Sequence, residues 1–416
     1  MLAKILIEAD VASTPIAEAV RRNAKDIEIL DVPSGTSEES LRRLGLTAGK
    51  RVLLLKRFQG RFFKQCQGLK KEYSCCNLHT LAEANGCAME CTYCILQYYM
   101  TSPHLSVFAN LGDLQAEIER VIHTQPSRIF RIGTGELSDS LLLDPLTEST
   151  RHMVPFFRRL PNAVLELKTK TDSVSNLLDL DHGQRTVVSW SVNPAEVGAR
   201  EELKTAPLER RLAAARRVAG AGYPVGFHID PMIHYANWRD GYTELLDKLL
   251  DAVEPRQVAW ISLGSLRFPP EMKGTMEARF PRSELRYGEL VRGDDGKMHY
   301  LRPMRIEMYR HVVDGLLRRL EHESSKPVIY LCMEPPDVWK RVFDRPAPRN
   351  AELEHHFAEN YWRRFGGGSL SEPKLSEYEG FGGCATEREP AQPSFVPISA
   401  VSKAPFGAGA VPGVST

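Results

Sequence analysis

The chain has 416 residues, 42% of them hydrophobic, which suffices for one large barrel-type domain with an appendage or for two ordinary domains. A formal net charge of +1 excludes a global field that would draw in a polyanion, so any nucleic-acid site has to come from local patches. Eight cysteines, six of them between Cys66 and Cys94, exclude a secreted disulfide framework, because they crowd around one motif in a long chain.

Taken in order, Lys4 to Ile7 reads as a short strand. Pro15 to Arg22 reads as a helix, with Thr14 as N-cap and Pro15 at the first helical position. Apolar runs at Ile27 to Val32 and Arg51 to Phe58 complete a small α/β unit over residues 1–60, read as a lid or packing extension. The N-terminus lacks a basic region followed by a sustained apolar run, and no stretch is long enough to span a bilayer, so a cytoplasmic protein without a membrane partner is expected. Cys66, Cys75 and Cys76 come next. Buried packing and an auxiliary metal or redox role are both open for them.

From Asn85 to Met100 the chain reads Asn-Gly-Cys-Ala-Met-Glu-Cys-Thr-Tyr-Cys-Ile-Leu-Gln-Tyr-Tyr-Met, which sets Cys87, Cys91 and Cys94 in a C-x3-C-x2-C array. Thiolates are the usual partners of iron–sulfur clusters, and three of them on a four-iron cube leave one iron open. An open position is what separates a catalytic centre from a closed structural one. The alternative is a zinc site lacking its fourth ligand.

Beyond this loop, strands are predicted at Arg128 to Ile132, Val164 to Thr169, Val187 to Val192, Val225 to Ile229, Val258 to Leu263 and Val328 to Cys332, after a first strand at Leu78 to Ala84. Helices are predicted near Leu111 to His123, Leu208 to Ala219, Tyr242 to Val253 and Ile306 to Glu321. Alternation of apolar strands with helices calls for a parallel sheet covered on both faces, with its chemistry at the C-terminal strand ends. The expected fold is therefore α/β, a partial (β/α)6 barrel over residues 61–345, carrying the loop 85–100 and followed by a helix at 346–365. Residues 366–416, opened by Gly366-Gly367-Gly368 and containing Cys384, turn to Gly, Pro, Ser and Ala and are expected to be a disordered tail.

The cysteine array, with Gly86 and Tyr93 beside it, resembles the signature of the radical S-adenosylmethionine (SAM) enzymes. The stretch Arg211 to Tyr223, then Gly226-Phe227 and Asn237-Trp238-Arg239-Asp240-Gly241-Tyr242, is very similar to the spore photoproduct lyase family, as are Ser138-Asp139 with Asp144 and Leu146-Thr147. The resemblance covers roughly residues 4–345. It implies a [4Fe-4S] cluster on Cys87, Cys91 and Cys94, SAM as cofactor, an external one-electron donor such as flavodoxin or ferredoxin, and damaged DNA as a partner for thymine photoproduct reversal. A non-DNA substrate, or a cluster-bearing nucleic-acid-binding or redox protein without turnover, is the alternative.

By the same likeness, Gly133-Thr134-Gly135-Glu136 matches the glycine-glycine-glutamate motif. There Gly135, Glu136 and Ser138 would meet the SAM ammonium, and Lys170 and Ser191 its carboxylate. Asp230 stands where the family is apolar and could face SAM or substrate, while His228 reads as a core histidine. Tyr93 and Glu136 are the catalytic candidates. Three departures stand out. No thiol precedes Ser138-Asp139, Ile95 replaces a tyrosine after the last cluster cysteine, and the hairpin around Asp295-Gly296 mixes acids with Arg286, Tyr287, Arg292, Lys297, Tyr300 and Arg302, the candidates for phosphates and bases. Cys332 is a candidate replacement for the missing thiol, although packing suits it too.

Overall fold

The structure, a computed structural model, describes residues 2–35, 41–66, 68, 73–367 and 369–379. Near the N-terminus, β1 (Lys4–Glu8) lies between β2 (Glu28–Val32) and β3 (Val52–Lys56), parallel to both. The helix Pro15–Asn23 covers this sheet, and its N-cap Thr14 accepts a hydrogen bond from the Ala17 amide at 3.3 Å, as the Thr-Pro pair predicts.

The second sheet opens with β4 (Phe63–Gln65), antiparallel at the edge, and β5 (His79–Leu81). Around the cysteine loop run β6 (Ala84–Asn85), β7 (Glu90–Cys91) and β8 (Leu105–Phe108). β8 pairs with β3 and β6 with β8, so the N-terminal sheet takes two strands from beyond residue 60. Buried Ile5, Ile7, Leu53 and Leu55 belong to the same apolar cluster as the barrel strands. The extension therefore clamps both stems of the cysteine loop.

The barrel continues through β9 (Phe130–Gly133), β10 (Ala163–Thr169), β11 (Thr186–Ser191), the short β12 (Glu202–Leu203), β13 (Val225–Met232) and β14 (Val258–Ser265). A small sheet of β15 (Arg267–Phe268), β16 (Leu290–Arg292) and β17 (Met298–Tyr300) follows, and then β18 (Val328–Leu331). The strand order β18-β14-β13-β11-β10-β9-β5-β4 runs parallel except at the β4 edge, and the ends stay unpaired, which makes an open barrel. β11 and β14 are buried at every position, as parallel strands covered on both faces require. The predicted helices appear at Leu111–Ile122, Leu208–Gly220, Trp238–Ala252 and Arg302–Arg319.

The helix Asn350–Phe365 closes the architecture. Its buried Glu354 accepts from Arg128 Nε and Nη2 at 2.9 and 2.7 Å and from Asn77 Nδ2 at 2.9 Å, tying the helix to the start of β9 and to the upstream cysteine segment. The expected tail does not begin at Gly366. Leu370 and Tyr378 are buried, the Ile129 amide donates to Tyr378 Oη at 2.9 Å, and Ser371 and Lys374 donate from their amides to Pro161 and Ser127 carbonyls. Two apolar anchors eight residues apart hold this segment, although its composition has no periodic pattern. Cys384 and residues 380–416 lie outside the described residues.

Removing one partner of a buried ion pair strands the other charge, so Glu354→Ala is expected to cost about 3–5 kcal/mol in denaturant unfolding. A loss below about 1 kcal/mol would show that Arg128 finds water or another partner.

Candidate active site

Each parallel strand delivers its C-terminal end to one face, where a cavity of about 740 Å³ opens. Cys87, Cys91, Cys94, Tyr93, Gly135, Glu136, Ser138, Lys170, Ser191 and Asp230 all line it, so residues up to 143 positions apart in the chain share one wall system. Cys66, Cys75, Cys76 and Cys332 line the same cavity.

The cysteine loop is shaped by its glycine and by two carboxylates. Gly86 has φ +88°, and a Cβ there would come within 3.0 Å of Leu105 Cδ2 and 3.2 Å of the His104 carbonyl. β7 pairs antiparallel with β12, setting Cys91 opposite Glu202. Thr92 donates from its amide to the Glu201 carbonyl at 2.8 Å and from its hydroxyl to the Glu201 carboxylate, while Tyr93 donates its phenol to Glu202. Glu202 is paired with Arg211 Nη1 at 2.6 Å and accepts from Asn193 Nδ2 at 3.1 Å. Burial opposes its charge, but Arg211 and Lys170 hold this carboxyl below its ordinary range. Glu90 is similarly ringed by Lys50, Lys204 and Arg279. The sequence reading missed Glu201 and Glu202. The adjacent acids Glu201-Glu202, which end the helix Ala195–Glu201 and open β12, are the one signal the sequence offers.

Lys170 Nζ lies 5.8 Å from the centroid of the Tyr93 ring. Burial works against its charge, yet the Glu202 carboxylate outweighs it and raises the ammonium above its usual range. A cation therefore persists beside the cysteines at neutral pH. Burial also pushes the Cys91 thiol up to about 12, with Glu202 adding to the shift, and drives Cys87 well above its ordinary value, with Asp139 and Cys94 adding. Left to the protein alone, these thiols stay protonated. Metal coordination deprotonates a thiol outright, so the donor set fits a site whose missing positive charge comes from iron. Among the described residues no three His, Cys, Asp or Glu side chains converge on a point for a single metal ion.

Some predicted residues have different surroundings from those expected. The sequence suggests open backbone at Gly135 for a ligand, but a Cβ there would meet Ser140 Oγ at 3.0 Å and the Lys168 carbonyl at 3.1 Å, so packing on β10 demands the glycine. Ser138 donates to the Thr134 carbonyl at 3.4 Å. Asp139 accepts from the Leu142 and Lys170 amides at 2.9 and 2.8 Å and from Thr169 Oγ1 at 2.7 Å, which fixes the loop after β9 against the end of β10. Asp230 is matched by Arg267 at 3.2 Å, so the unexpected carboxylate carries its own counter-ion; burial opposes its charge, but Arg267 lowers it.

Beneath the cavity Glu166 joins four strands. Its Oε1 accepts from Ser189 Oγ at 2.7 Å and Trp260 Nε1 at 2.8 Å, and His228 Nε2 lies 2.7 Å away. His228 is buried, as expected of a core histidine, and its ring also lines the cavity.

In the hairpin the turn at Asp295-Gly296 forms as predicted, with Gly296 at φ +80°. Tyr300 is withdrawn from the candidate contacts: it is buried and accepts from the His234 amide at 3.2 Å. Arg302 pairs with Asp337 at 3.0 Å. Asp295 accepts from the Lys297 amide at 3.1 Å and lies 2.8 Å from His299 Nε2, so one of the diluting acids serves the turn itself. Arg292 and Lys297 line the cavity rim, and Tyr287 is 72% exposed with the Arg286 guanidinium over its ring.

A family model for spore photoproduct lyase matches residues 67–327, more than half of the chain. The chain belongs to the spore photoproduct lyase family. Curated relatives include the spore photoproduct lyases of a Geobacillus species, 34% identical over 217 residues, and of Bacillus subtilis, 31% identical over 210 residues. Each match takes in 50% of this chain, and the chain spans 62% and 61% of those relatives' lengths. Among solved structures, a spore photoproduct lyase variant with bound AdoMet and dinucleoside spore photoproduct is 25% identical, with a TM-score of 0.67 over 80% of this chain and 99% of that one. Spore photoproduct lyase complexed with dinucleoside spore photoproduct aligns with a TM-score of 0.66 at 25% identity, over 80% of this chain and 99% of that one. Those family members thus share the open-barrel fold. Among the described residues no helix is long and apolar enough to cross a membrane.

Glu166 predicts a pH signature. Burial opposes its charge, but His228 and Arg131 hold the carboxyl below the ordinary value of about 4.3, so its stabilising contribution is full above that value and is lost progressively as pH falls below it toward the depressed native value. Urea unfolding of the parent is expected to show stability declining as pH falls from about 5 to about 3, with a flatter decline in Glu166→Gln. Parallel slopes would place the acid sensitivity elsewhere.

Proposed function

We propose that this chain is a radical SAM enzyme, a DNA-repair lyase of the spore photoproduct type. The observation that carries the reading is the gathering of Cys87, Cys91 and Cys94 in one cavity with the buried cation Lys170 and the strand-end groups Glu136, Ser138 and Ser191. Family membership, and the AdoMet and dinucleoside photoproduct held by solved relatives, support it.

In this reading Cys87, Cys91 and Cys94 hold a [4Fe-4S] cluster. Held there, the cluster and SAM would supply reductive cleavage of the sulfonium and hydrogen abstraction from carbon. The chain's own residues do the rest. Lys170, kept charged by Glu202, offers the cation for the cofactor's carboxylate, and Ser191 offers a hydroxyl. Glu136 and Ser138 supply oxygen acceptors for its ammonium. Tyr93, its phenol committed to Glu202, serves as a fixed wall beside the cysteines rather than as a mobile proton carrier. The Asp230–Arg267 pair is a neutral polar wall. Arg292 and Lys297 at the rim, with Arg286 and Tyr287 in the turn that precedes the hairpin, would meet phosphates and a base of the damaged strand.

Incubation of the anaerobically reconstituted, reduced protein with SAM and dinucleoside spore photoproduct is expected to yield 5'-deoxyadenosine and restored thymines. Formation of 5'-deoxyadenosine with the photoproduct untouched would move the substrate off this lesion, and absence of both would remove the enzyme. A charge-assisted contact is worth about 1.5–3 kcal/mol, so Lys170→Met is expected to weaken SAM binding about tenfold to a hundredfold with cluster absorbance unchanged. Binding within about twofold of the parent would take Lys170 out of the cofactor site.

A further inference from the structure

Four thiols on the cavity wall have no part in the proposed cluster: Cys66, Cys75, Cys76 and Cys332. Two of them adjoin, and the fold fixes them from three sides. The Cys75 amide donates to Asn350 Oδ1 at 2.8 Å, at the start of the C-terminal helix. One residue earlier, the Ser74 amide donates to the Glu334 carbonyl at 3.3 Å; one residue after the pair, Asn77 is tied to Glu354. This segment is therefore a built element of the cavity.

The pair is also electrically asymmetric. Arg131 Nη2 lies 3.0 Å from Cys76 Sγ, and the guanidinium is enclosed by Phe357, Trp260 and Tyr330 at 4.4, 4.9 and 5.4 Å from the ring centroids. Its Nε and Nη1 make no hydrogen bond, and Nε lies 3.7 Å from Glu166 Oε2, so the guanidinium is shared between that carboxylate and the Cys76 sulfur, which takes its closest contact. The neighbouring Cys75 thiol lowers Cys76 and Arg131 lowers it further, against burial, while the Cys76 sulfur and burial raise Cys75. With Arg131 against Cys76 and not Cys75, the arrangement favours the negative charge on Cys76 and the hydrogen on Cys75. The other two thiols differ. Burial raises both, and Asp230 raises Cys332 further while Glu136 raises Cys66.

A carbon radical formed in this cavity needs a weak X–H bond to end on. The stretch Gly135-Glu136-Leu137 on its wall has none, and the Tyr93 phenol is bound to Glu202. We infer that Cys75 and Cys76 act as a thiol–thiolate pair, in which Cys75 gives its hydrogen atom to the substrate carbon radical and Cys76 stabilises the sulfur radical left behind. The inference rests on the radical-enzyme reading above. In the step, the Cys75 S–H bond breaks and a C–H bond forms. The Cys75 thiyl radical then shares three electrons with the Cys76 thiolate, giving one S–S bond with one negative charge. One electron from a donor of the flavodoxin or ferredoxin class and one proton from solvent restore a thiol and a thiolate. Arg131 is the positioning residue that keeps Cys76 ionised.

Two measurements on the full chain test it. In the first, iodoacetamide labelling at pH 6.5, mapped by mass spectrometry on protein without cofactors, is expected to modify Cys76 at least about tenfold faster than Cys332. Equal rates would overturn the thiolate assignment whatever the enzyme's activity. In the second, turnover in deuterated water is expected to place solvent deuterium in the repaired thymine. Cys75→Ala should form parent amounts of 5'-deoxyadenosine but about tenfold less repaired product, while Cys332→Ala should match the parent. Parent product yield from Cys75→Ala, or its loss in Cys332→Ala, would overturn the assignment of the donor. A parent that cleaves SAM and leaves the photoproduct intact would instead sink the lesion reading, and the labelling rates alone would then decide the pair.

Discussion

The site depends on one buried arrangement, the carboxylate of Glu202 shared among Arg211, Asn193, the Tyr93 phenol and the field of Lys170. A charge out of water is tolerable only when it is paired and hydrogen-bonded, and here each polar partner comes from a different part of the chain. Because β12 also pairs with β7, the strand that bears Glu202 sets the register of the cysteine loop. Loop placement and the charge state of Lys170 are consequently a single property. The N-terminal sheet adds to this by taking β6 and β8, the strands flanking the loop, into its own hydrogen bonding.

The barrel interior shows how far a hydrophobic description carries. Outer faces and helix stripes form one apolar cluster, while the inner face beneath the cavity is polar: Glu166, Ser189, His228 and Arg131 come from neighbouring strands and largely satisfy one another. Such a network specifies strand register, since slipping one strand by a residue would remove its donor from Glu166. It also leaves Glu166 Oε2, Ser262 Oγ and two nitrogens of Arg131 without hydrogen-bond partners at the cavity floor. The cavity above it carries polar groups among a largely apolar lining, from Glu166 and His228 at the floor to Arg292 and Lys297 at the mouth.

Much of the fold is legible in the sequence. Strands such as Ala163–Thr169 and Val225–Met232 are readable because, in an α/β chain, a short continuous apolar run bounded by turns fits little besides a buried strand. Helix 15–23 is readable because Thr14-Pro15 is a strong start signal. The cysteine spacing locates the loop. Pairwise long-range facts are not legible: nothing local shows that Asp230 meets Arg267, that Tyr300 turns inward, or that Gly135 is small for the sake of Lys168 and Ser140. The segment at 369–379 escapes a sequence reading because two buried side chains, Leu370 and Tyr378, are too few to make a period yet enough to seat it.

The central claim is that Cys87, Cys91 and Cys94, and not the upstream thiols, carry the cluster. Iron and acid-labile sulfide per chain after anaerobic reconstitution test it most directly, measured in the parent, in Cys91→Ala and in a variant with Cys66, Cys75 and Cys76 all replaced by alanine. About four irons and four sulfides are expected in the parent and in the upstream variant, with loss in Cys91→Ala. A colourless parent, or iron that survives Cys91→Ala and disappears with the upstream cysteines, would contradict the account.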